Sequence, residues 1–366
     1  MDDYFRKQLT EAELAAGFEL GRICRQQRGK YYVLTEDAKL SENETTEGKM
    51  LLSETEALLK GAVFYGEGHE FITYPAVGDV VVLKREADQL VIYRVLDRKT
   101  VFTRNKPGVI SRKDNTNEQV VAANMDIVFI MESLNHDFNL RRLERYITVA
   151  WNSGATPVIL LTKADVCEDI DYYVNQAQQV AIGIEVLPIS TYSGIGIENV
   201  KKYLSPGKTV VFLGSSGIGK STLVNLLAGR ELMKTAGITE KNSKGSHTTT
   251  HREMVVLENG AVLIDTPGMR ELGNDNFDEG IDRTFEDIAE LARECRFSDC
   301  THISEPGCRV RQAIDEGELS EERLKSYQKL QRESRRLSPK IIEQRKYYQE
   351  MKVTGRTLKG RHGKGK

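Results

Sequence analysis

Residues 209–221 read TVVFLGSSGIGKS, and the helix-forming run LVNLLAG follows at 223–229. Thr209–Leu213 is β-branched and apolar, which predicts a buried strand. Gly214-Ser-Ser-Gly-Ile-Gly-Lys220-Ser221 then fits the spacing G-x4-G-K-[ST] between a strand and a helix. In that setting the glycines let the backbone turn its N–H groups onto a phosphate at a helix N-terminus. The stretch Gly214, Ser215, Ser216, Gly217, Ile218, Gly219, Lys220, Ser221 and Thr222 is therefore the expected phosphate cradle. Lys220 would reach the β- and γ-phosphates, and the Ser221 hydroxyl would bind Mg²⁺. A glycine-rich turn with no ligand leaves the Lys-Ser pair unexplained.

Downstream, EMVVLE and AVLID are joined by Asn259-Gly260, a strong hairpin signal. The second strand ends in Asp265-Thr266-Pro267-Gly268. An acid there can hold Mg²⁺, and Gly268 can present its N–H to a γ-phosphate. Before the hairpin lies the polar loop KNSKGSHTTTHRE, 241–253, where a nucleotide-sensing switch belongs. Spacing favours Thr249 as the Mg²⁺-binding threonine, with Thr248 and Thr250 as rivals. After Gly268 stands Met269, where many GTPases carry the Gln that orients the attacking water. Met cannot orient water, so His247, with His251 behind it, is the expected catalytic substitute; two solvated loop histidines are the plain alternative.

Upstream, the apolar run PVILL leads into Thr162-Lys163-Ala164-Asp165. Guanine offers an N1–H and an exocyclic amine that a carboxylate accepts, whereas adenine presents an acceptor. Asp165 thus attracts one base and repels the other, and Lys163 would lay its stem along the base or loop. The next strand, VLPIS, ends in Ser190-Thr191, placed for backbone contacts to the guanine carbonyl. Ligands bind at this end of the strands in open α/β sheets. Small GTPases run phosphate loop first and base readers last. Here the base readers come first, so the predicted sheet is circularly permuted, with Ser205–Lys208 joining the original ends.

The remainder of the chain frames this core. Short runs GRICRQ, KYYVL, GAVFYG, EFITYPAVGDVVVLK and QLVIYRVLDR, between Phe18 and Arg104, predict a small closed β-barrel. Tyr31, Tyr32, Phe64, Tyr65, Phe71 and Tyr74 are candidates to stack on single-stranded nucleic acid, although most aromatics of a small barrel are core. The polar 41–60 stretch reads as a loop insertion with helix near Glu54–Lys60, and residues 1–17 as a short helix or frayed end. Cys295, Cys300, His302 and Cys308 form a Cys₃His set, the ligand set of a closed structural zinc site. The surrounding region, 280–350, looks mostly helical.

The 366 residues carry a net charge of −2, but 321–366 hold 15 Lys/Arg against 5 Asp/Glu. That balance of +10 leaves −12 for the first 320 residues, and a basic tail on an acidic body fits a polyanionic partner. No apolar run exceeds the five residues Ile127–Met131, against about 20 for a membrane span. MDDYFRKQLTEAEL is charged where a signal peptide is apolar. A soluble, cytoplasmic protein is expected, with no membrane partner.

Taken together, AVGDVV, VLDRKTVFTR, Asn124, TKAD, GSSGIGKS, GSHTTTHRE, DTPG and the Cys/Cys/His/Cys cluster resemble the RsgA (YjeQ/YloQ) family of circularly permuted, small-subunit-dependent GTPases. The resemblance spans about residues 18–350. It implies an OB-type RNA-binding barrel (18–104), a central permuted P-loop GTPase (105–279) and a helical zinc-binding domain (280–350); an N-terminal extension (1–17), atypical in length, and a basic tail (351–366) flank them. It also implies one structural zinc, Mg²⁺ with GTP, and a monomer working on the small ribosomal subunit and its rRNA. Weak intrinsic hydrolysis, stimulated by that subunit late in its maturation, is the implied activity. His247 matches the family's switch-loop histidine, and Thr162 an accepted alternative to asparagine. Two other readings stay open: a GTP-binding rRNA scaffold with negligible turnover, and a GTPase acting on the large subunit or on tRNA.

Overall fold

The computed structural model describes residues 2–27, 30–35, 54–60, 74–105, 118–232, 252–265 and 278–334. It divides into two compact units, Met1–Leu272 and Gly273–Lys366. In the first unit, β1 (Glu19–Gln27), β2 (Lys30–Thr35), β3 (Thr55–Leu59), β4 (Val80–Glu86) and β5 (Gln89–Val95) pair in the order β1-β2-β3-β5-β4. β4 returns to β1, closing the sheet. Four of these pairings are antiparallel, and β3–β5 is parallel. The result is a small closed barrel, as expected, here of five strands; the predicted run GAVFYG lies outside the described residues. Ile23, Val33, Ala57, Val81, Leu83 and Ile92 fill its interior.

β3 corrects the sequence reading. Thr-Glu-Ala-Leu-Leu has the composition of a helix, yet it is a strand between β2 and β5, with Ala57 buried and Glu56 exposed. Pairing on both edges outweighs a helix preference of a few tenths of a kcal/mol per residue, roughly. The N-terminus is also more ordered than a frayed end. Helices α1 (Asp3–Arg6) and α2 (Glu11–Ala15) are capped by Asp2 and by a Thr10/Glu13 capping box. Phe5 is buried against Leu20, Val80, Val82 and Leu96, so this segment packs on the barrel.

The second part of this unit is a mostly parallel sheet in the order β10-β9-β8-β11-β13-β12. Its strands are β8 (Ile127–Ser133), β9 (Thr156–Thr162), β10 (Val186–Pro188), β11 (Thr209–Gly214), β12 (Arg252–Val256) and β13 (Val262–Asp265). Helices α3 (Leu140–Asn152), α4 (Ile170–Val180), α5 (Ile197–Lys201) and α6 (Lys220–Ala228) link them. On α3, Leu143, Tyr146, Ile147 and Ala150 are buried, as their spacing predicts. β12 and β13 form the antiparallel hairpin. At its turn the Asn259 side chain accepts from the Ala261 N–H and donates to the Leu204 carbonyl. A two-stranded ribbon, β6 (Val101–Asn105) with β7 (Glu118–Ala123), precedes the sheet; sequence periodicity missed β7.

β1 belongs to both sheets. Glu19–Arg22 pairs with β4, while Arg25 and Gln26 pair with Glu253 and Arg252 of β12. The hairpin edge of the nucleotide-type sheet is therefore covered by the barrel, and eleven strands run continuously. Arg22 stands near the crossover, donating to the Gly78 carbonyl (3.3 Å), the Asn124 carbonyl (3.1 Å) and the Thr209 hydroxyl (2.8 Å). Burial draws its guanidinium down to about 10, opposed by Asp126 and Asp79, so it stays charged at neutral pH. At Gly78 (φ +93°) a Cβ would lie 2.0 Å from the Ala123 carbonyl oxygen. Only glycine fits where this barrel turn meets β7 and Ile264.

The second unit contains α7 (Asp278–Thr284), α8 (Glu286–Arg293), α9 (Arg309–Asp315) and a helix over 321–334. Phe285, Ile288, Val310, Ala313, Leu324 and Tyr327 are buried within it. Arg323 clamps Asp287 through two bonds of 2.6 and 2.8 Å and donates to the Thr284 carbonyl.

Candidate nucleotide site and metal centre

β11 is buried along its whole length between β8 and β13, which aims the Gly214–Gly219 loop off the sheet at the C-terminal ends of the parallel strands. Gly217 and Gly219 take φ of +77° and +101°, with nothing within 4 Å of an added Cβ. Conformation, not crowding, requires glycine there. Ile218 between them is buried in the core and pins the loop. α6 starts at Lys220 with Gly219 as N-cap and no side chain capping it. The first turn of a helix carries the positive end of its dipole, and one without a capping side chain is the arrangement that binds phosphate. Lys220 Nζ arches over the loop to the carbonyls of Gly214 (2.6 Å) and Ser215 (3.1 Å). Ser221 is half-buried on the first turn, and Thr222 is exposed.

The segment Thr162–Asp165, expected to read the base, is tied to this loop. Thr162, at the end of β9 and 5% exposed, donates its hydroxyl to the Ile218 carbonyl (3.0 Å) and the Glu132 carbonyl (3.3 Å). Lys163 then takes a left-handed φ of +64°, which turns the chain into the short 3₁₀ segment Ala164–Val166 carrying exposed Asp165. The Ala164 N–H bonds the Ile189 carbonyl at 3.1 Å, bringing the Ser190-Thr191 loop alongside. Ser190 is 1% exposed, and its Oγ accepts from the N–H groups of Tyr192 and Ser193. Its side chain thus shapes the loop, in which Thr191 is half-buried and Tyr192 to Ile195 are exposed.

Next to the Gly214–Gly219 loop lies an ion pair invisible in the sequence pattern. Arg142 grips the fully buried Glu132 carboxylate at 2.6 and 2.7 Å and also bonds Asp137. Burial pushes the Glu132 carboxyl up against the pull of Arg142, and that pairing pushes the guanidinium up in turn. The pair fixes the turn after β8, the strand beside β11. The ten-residue separation gave no signal; a lone acid ending an apolar strand was the available clue.

Asp265 closes β13, with Val211 and Ile264 in register one strand away from the loop. Its side chain, together with His247, Thr248, Thr249, Thr250, His251, Thr266, Pro267, Gly268 and Met269, lies outside the described residues. Among the barrel aromatics, Tyr31 is buried in the core, Tyr32 carries the Arg25 guanidinium on its ring at 3.9 Å, and Tyr74 is 53% exposed. Phe64, Tyr65, Phe71 and the basic tail are outside the described residues.

In the second unit, one ligand atom from each of Cys295, Cys300, His302 and Cys308 lies within 4.8 Å of the others. Cys295 and Cys308 Sγ are 3.8 Å apart, against about 3.8 Å for two thiolates on a tetrahedral zinc with Zn–S near 2.3 Å. His302 Nδ1 is 3.7 and 3.5 Å from these sulfurs. His302 takes φ +57°, and burial lowers its pKa, favouring the neutral, ligating imidazole. The Arg311 N–H points at Cys308 Sγ (3.4 Å), and its Nε bonds the His302 carbonyl (2.9 Å). All four predicted ligands are brought together, in a shape that suits one tetrahedral metal ion.

Comparison with known proteins bears on both sites. The family model described as "RsgA GTPase" matches residues 95–275. The "Small ribosomal subunit biogenesis GTPase RsgA 2" of Listeria monocytogenes is 45% identical over 344 residues, 93% of this chain and 92% of the relative. The crystal structure of YjeQ from Thermotoga maritima superposes with a TM-score of 0.61 at 24% identity, covering 87% of this chain and 98% of that one. That of YloQ, titled a circularly permuted GTPase, gives 0.55 at 24% identity, covering 87% and 95%. These likenesses extend the permuted fold across barrel and sheet.

Proposed function

The chain belongs to the RsgA GTPase family, and from that premise we propose that it hydrolyses GTP while bound to the small ribosomal subunit, assisting or checking late maturation of that particle. The observation that carries the reading is the Thr162–Ile218 hydrogen bond, which makes base-reading strand and phosphate loop one rigid cradle. Asp165 reads the guanine edge, Thr191 meets its carbonyl, and Lys220 with the α6 N-terminus holds the phosphates. Ser221, Asp265 and Thr249 would hold Mg²⁺, which offsets the charge of the β- and γ-oxygens when bound. His247 positions the attacking water in place of the Gln that Met269 replaces.

The division at 17, 104, 279 and 350 gives each part a task in this scheme. The barrel and basic tail grip rRNA, and the central domain turns over GTP. The C-terminal domain, stapled by one zinc on Cys295, Cys300, His302 and Cys308, follows directly in sequence from the Asp265–Gly268 segment. GTP orders 241–251 and that segment, correctly formed rRNA completes the site, and hydrolysis loosens the grip. The protein works as a soluble monomer; no helix among the described residues is long and apolar enough to cross a membrane.

The test is GTP hydrolysis by the purified protein alone and with small subunits, large subunits or intact ribosomes. Strong stimulation by small subunits is expected. Tight GTP binding with no stimulation by any particle would put the scaffold reading first, and stimulation by large subunits only would reassign the partner.

A further inference from the structure

Tyr192 is 93% exposed, more than any other large apolar side chain among the described residues. Its loop is nevertheless closed. Ser190 N–H bonds the Ile195 carbonyl (2.9 Å) and Gly194 N–H the Ser190 carbonyl (3.0 Å). Ser190 Oγ accepts from Tyr192 N–H at 3.2 Å and Ser193 N–H at 3.1 Å. A slack loop would let an aromatic ring fold back onto apolar surface; this one holds it out in water, at the cost of the ring's burial. The place is specific: two residues after Ser190, on the loop that the Ala164–Ile189 hydrogen bond seats beside Asp165.

We propose that Tyr192 is the stacking wall of the base pocket, its ring lying against the guanine that Asp165 reads. The proposal rests on the guanine-binding role given above. Edge contacts from Asp165 and the loop backbone fix the base in its plane, and the Lys163 stem can cover at most one of its faces. An aromatic ring held beside it covers one face, and stacking is indifferent to which base presents that face. Tyr192 therefore sets affinity, and Asp165 sets choice. The ring is proposed to touch only the base, a part common to GDP and GTP, so it contributes equally to both and is read out in nucleotide affinity.

Calorimetric titration of the full chain with GDP, a non-hydrolysable GTP analogue and ATP tests this. Tyr192→Ala is expected to raise Kd for both guanine nucleotides alike by about 5- to 150-fold, the range of a lost base–aromatic stack. Tyr192→Phe should stay within about twofold, since only the ring is used. Tyr192→Trp should bind at least as tightly and show fluorescence quenching by GDP, beyond any change at Trp151 in the wild type. Tyr192→Ala binding within about twofold of wild type, or Tyr192→Phe losing as much as Tyr192→Ala, overturns the stack, as does an unquenched Tyr192→Trp. Wild-type protein binding ATP as tightly as GTP would instead overturn the guanine reading itself.

Discussion

The Thr162 hydroxyl donates to the Ile218 carbonyl across 3.0 Å, joining two segments 56 residues apart in the chain. Both partners are buried, so removing the donor leaves a carbonyl with neither protein nor bulk water to bond. Thr162→Val is expected to weaken GDP and GTP binding alike by about 5- to 100-fold, the cost of one unsatisfied buried group. Thr162→Asn, whose amide also donates, should recover most of it. Equilibrium nucleotide binding measures both, and an unchanged Thr162→Val would show that the bond does not support the cradle.

Arg25 of the barrel faces Glu253 across the β1–β12 pair, and Glu253 faces Asp265 across β12–β13. Two strand spacings of about 4.8 Å thus separate a barrel residue from Asp265, the aspartate proposed to hold Mg²⁺. Arg25 is shared with Glu54 at 2.7 Å. Arg25→Glu sets like charges opposite each other at the exit of the 241–251 loop and should loosen that pair. The expected outcome is unchanged basal hydrolysis with weaker stimulation by small subunits. The charge-swapped double variant, with Glu253→Arg added, should restore stimulation, whereas Glu54→Gln, which alters Arg25 only within the barrel, should not reduce it.

Hydrogen bonds from Arg94, then from Thr10, hold the Glu13 carboxyl down at about 2, from an ordinary 4.5. The folded value lies below the unfolded one, so the stabilisation is complete above pH 4.5 and lost as pH falls towards 2. Amide exchange of residues 2–17 should accelerate, relative to the barrel strands, across that window. In Arg94→Ala the extra acid sensitivity should disappear. Equal sensitivity in both proteins would remove Glu13 as the cause.

Metal removal should separate the two units. The Cys₃His cluster joins the loop after α8 to the start of α9, and a small domain of this kind depends on its staple. A strong chelator, or Cys308→Ser, is expected to lower the melting temperature of residues 278–334 while GDP affinity stays within about twofold. Elemental analysis of protein purified without chelator should give one zinc per chain. Substoichiometric zinc, or an unchanged melting profile after chelation, would count against a structural metal.

Much of the molecule was legible before any coordinates. The strand, glycine turn and helix at 209–228 are legible because a conformational demand for glycine falls between two apolar runs, at the spacing expected of a phosphate loop. The order of TKAD before that loop gives the permutation, and four candidate ligands within 14 positions give the Cys₃His cluster that the fold gathers. Such signals are local, and local chemistry is written in the order of residues. Glu54–Lys60 was misread for the complementary reason: its own preference is helical, and neighbours from β2 and β5 made it a strand.

What only the tertiary structure decided are relations between distant segments. Arg22 finding Thr209 across 187 residues, Arg142 locking Glu132, and β1 running from barrel into the second sheet have no periodicity to betray them. Each is a buried charge or a backbone edge that the chain had to satisfy once folded, and the partner that satisfies it is chosen by packing. The sequence by itself determined which chemical groups stand at each candidate site and the order of the parts. The fold decided how those parts are joined, because hydrogen-bonding demand is set residue by residue while its fulfilment depends on what three dimensions bring near.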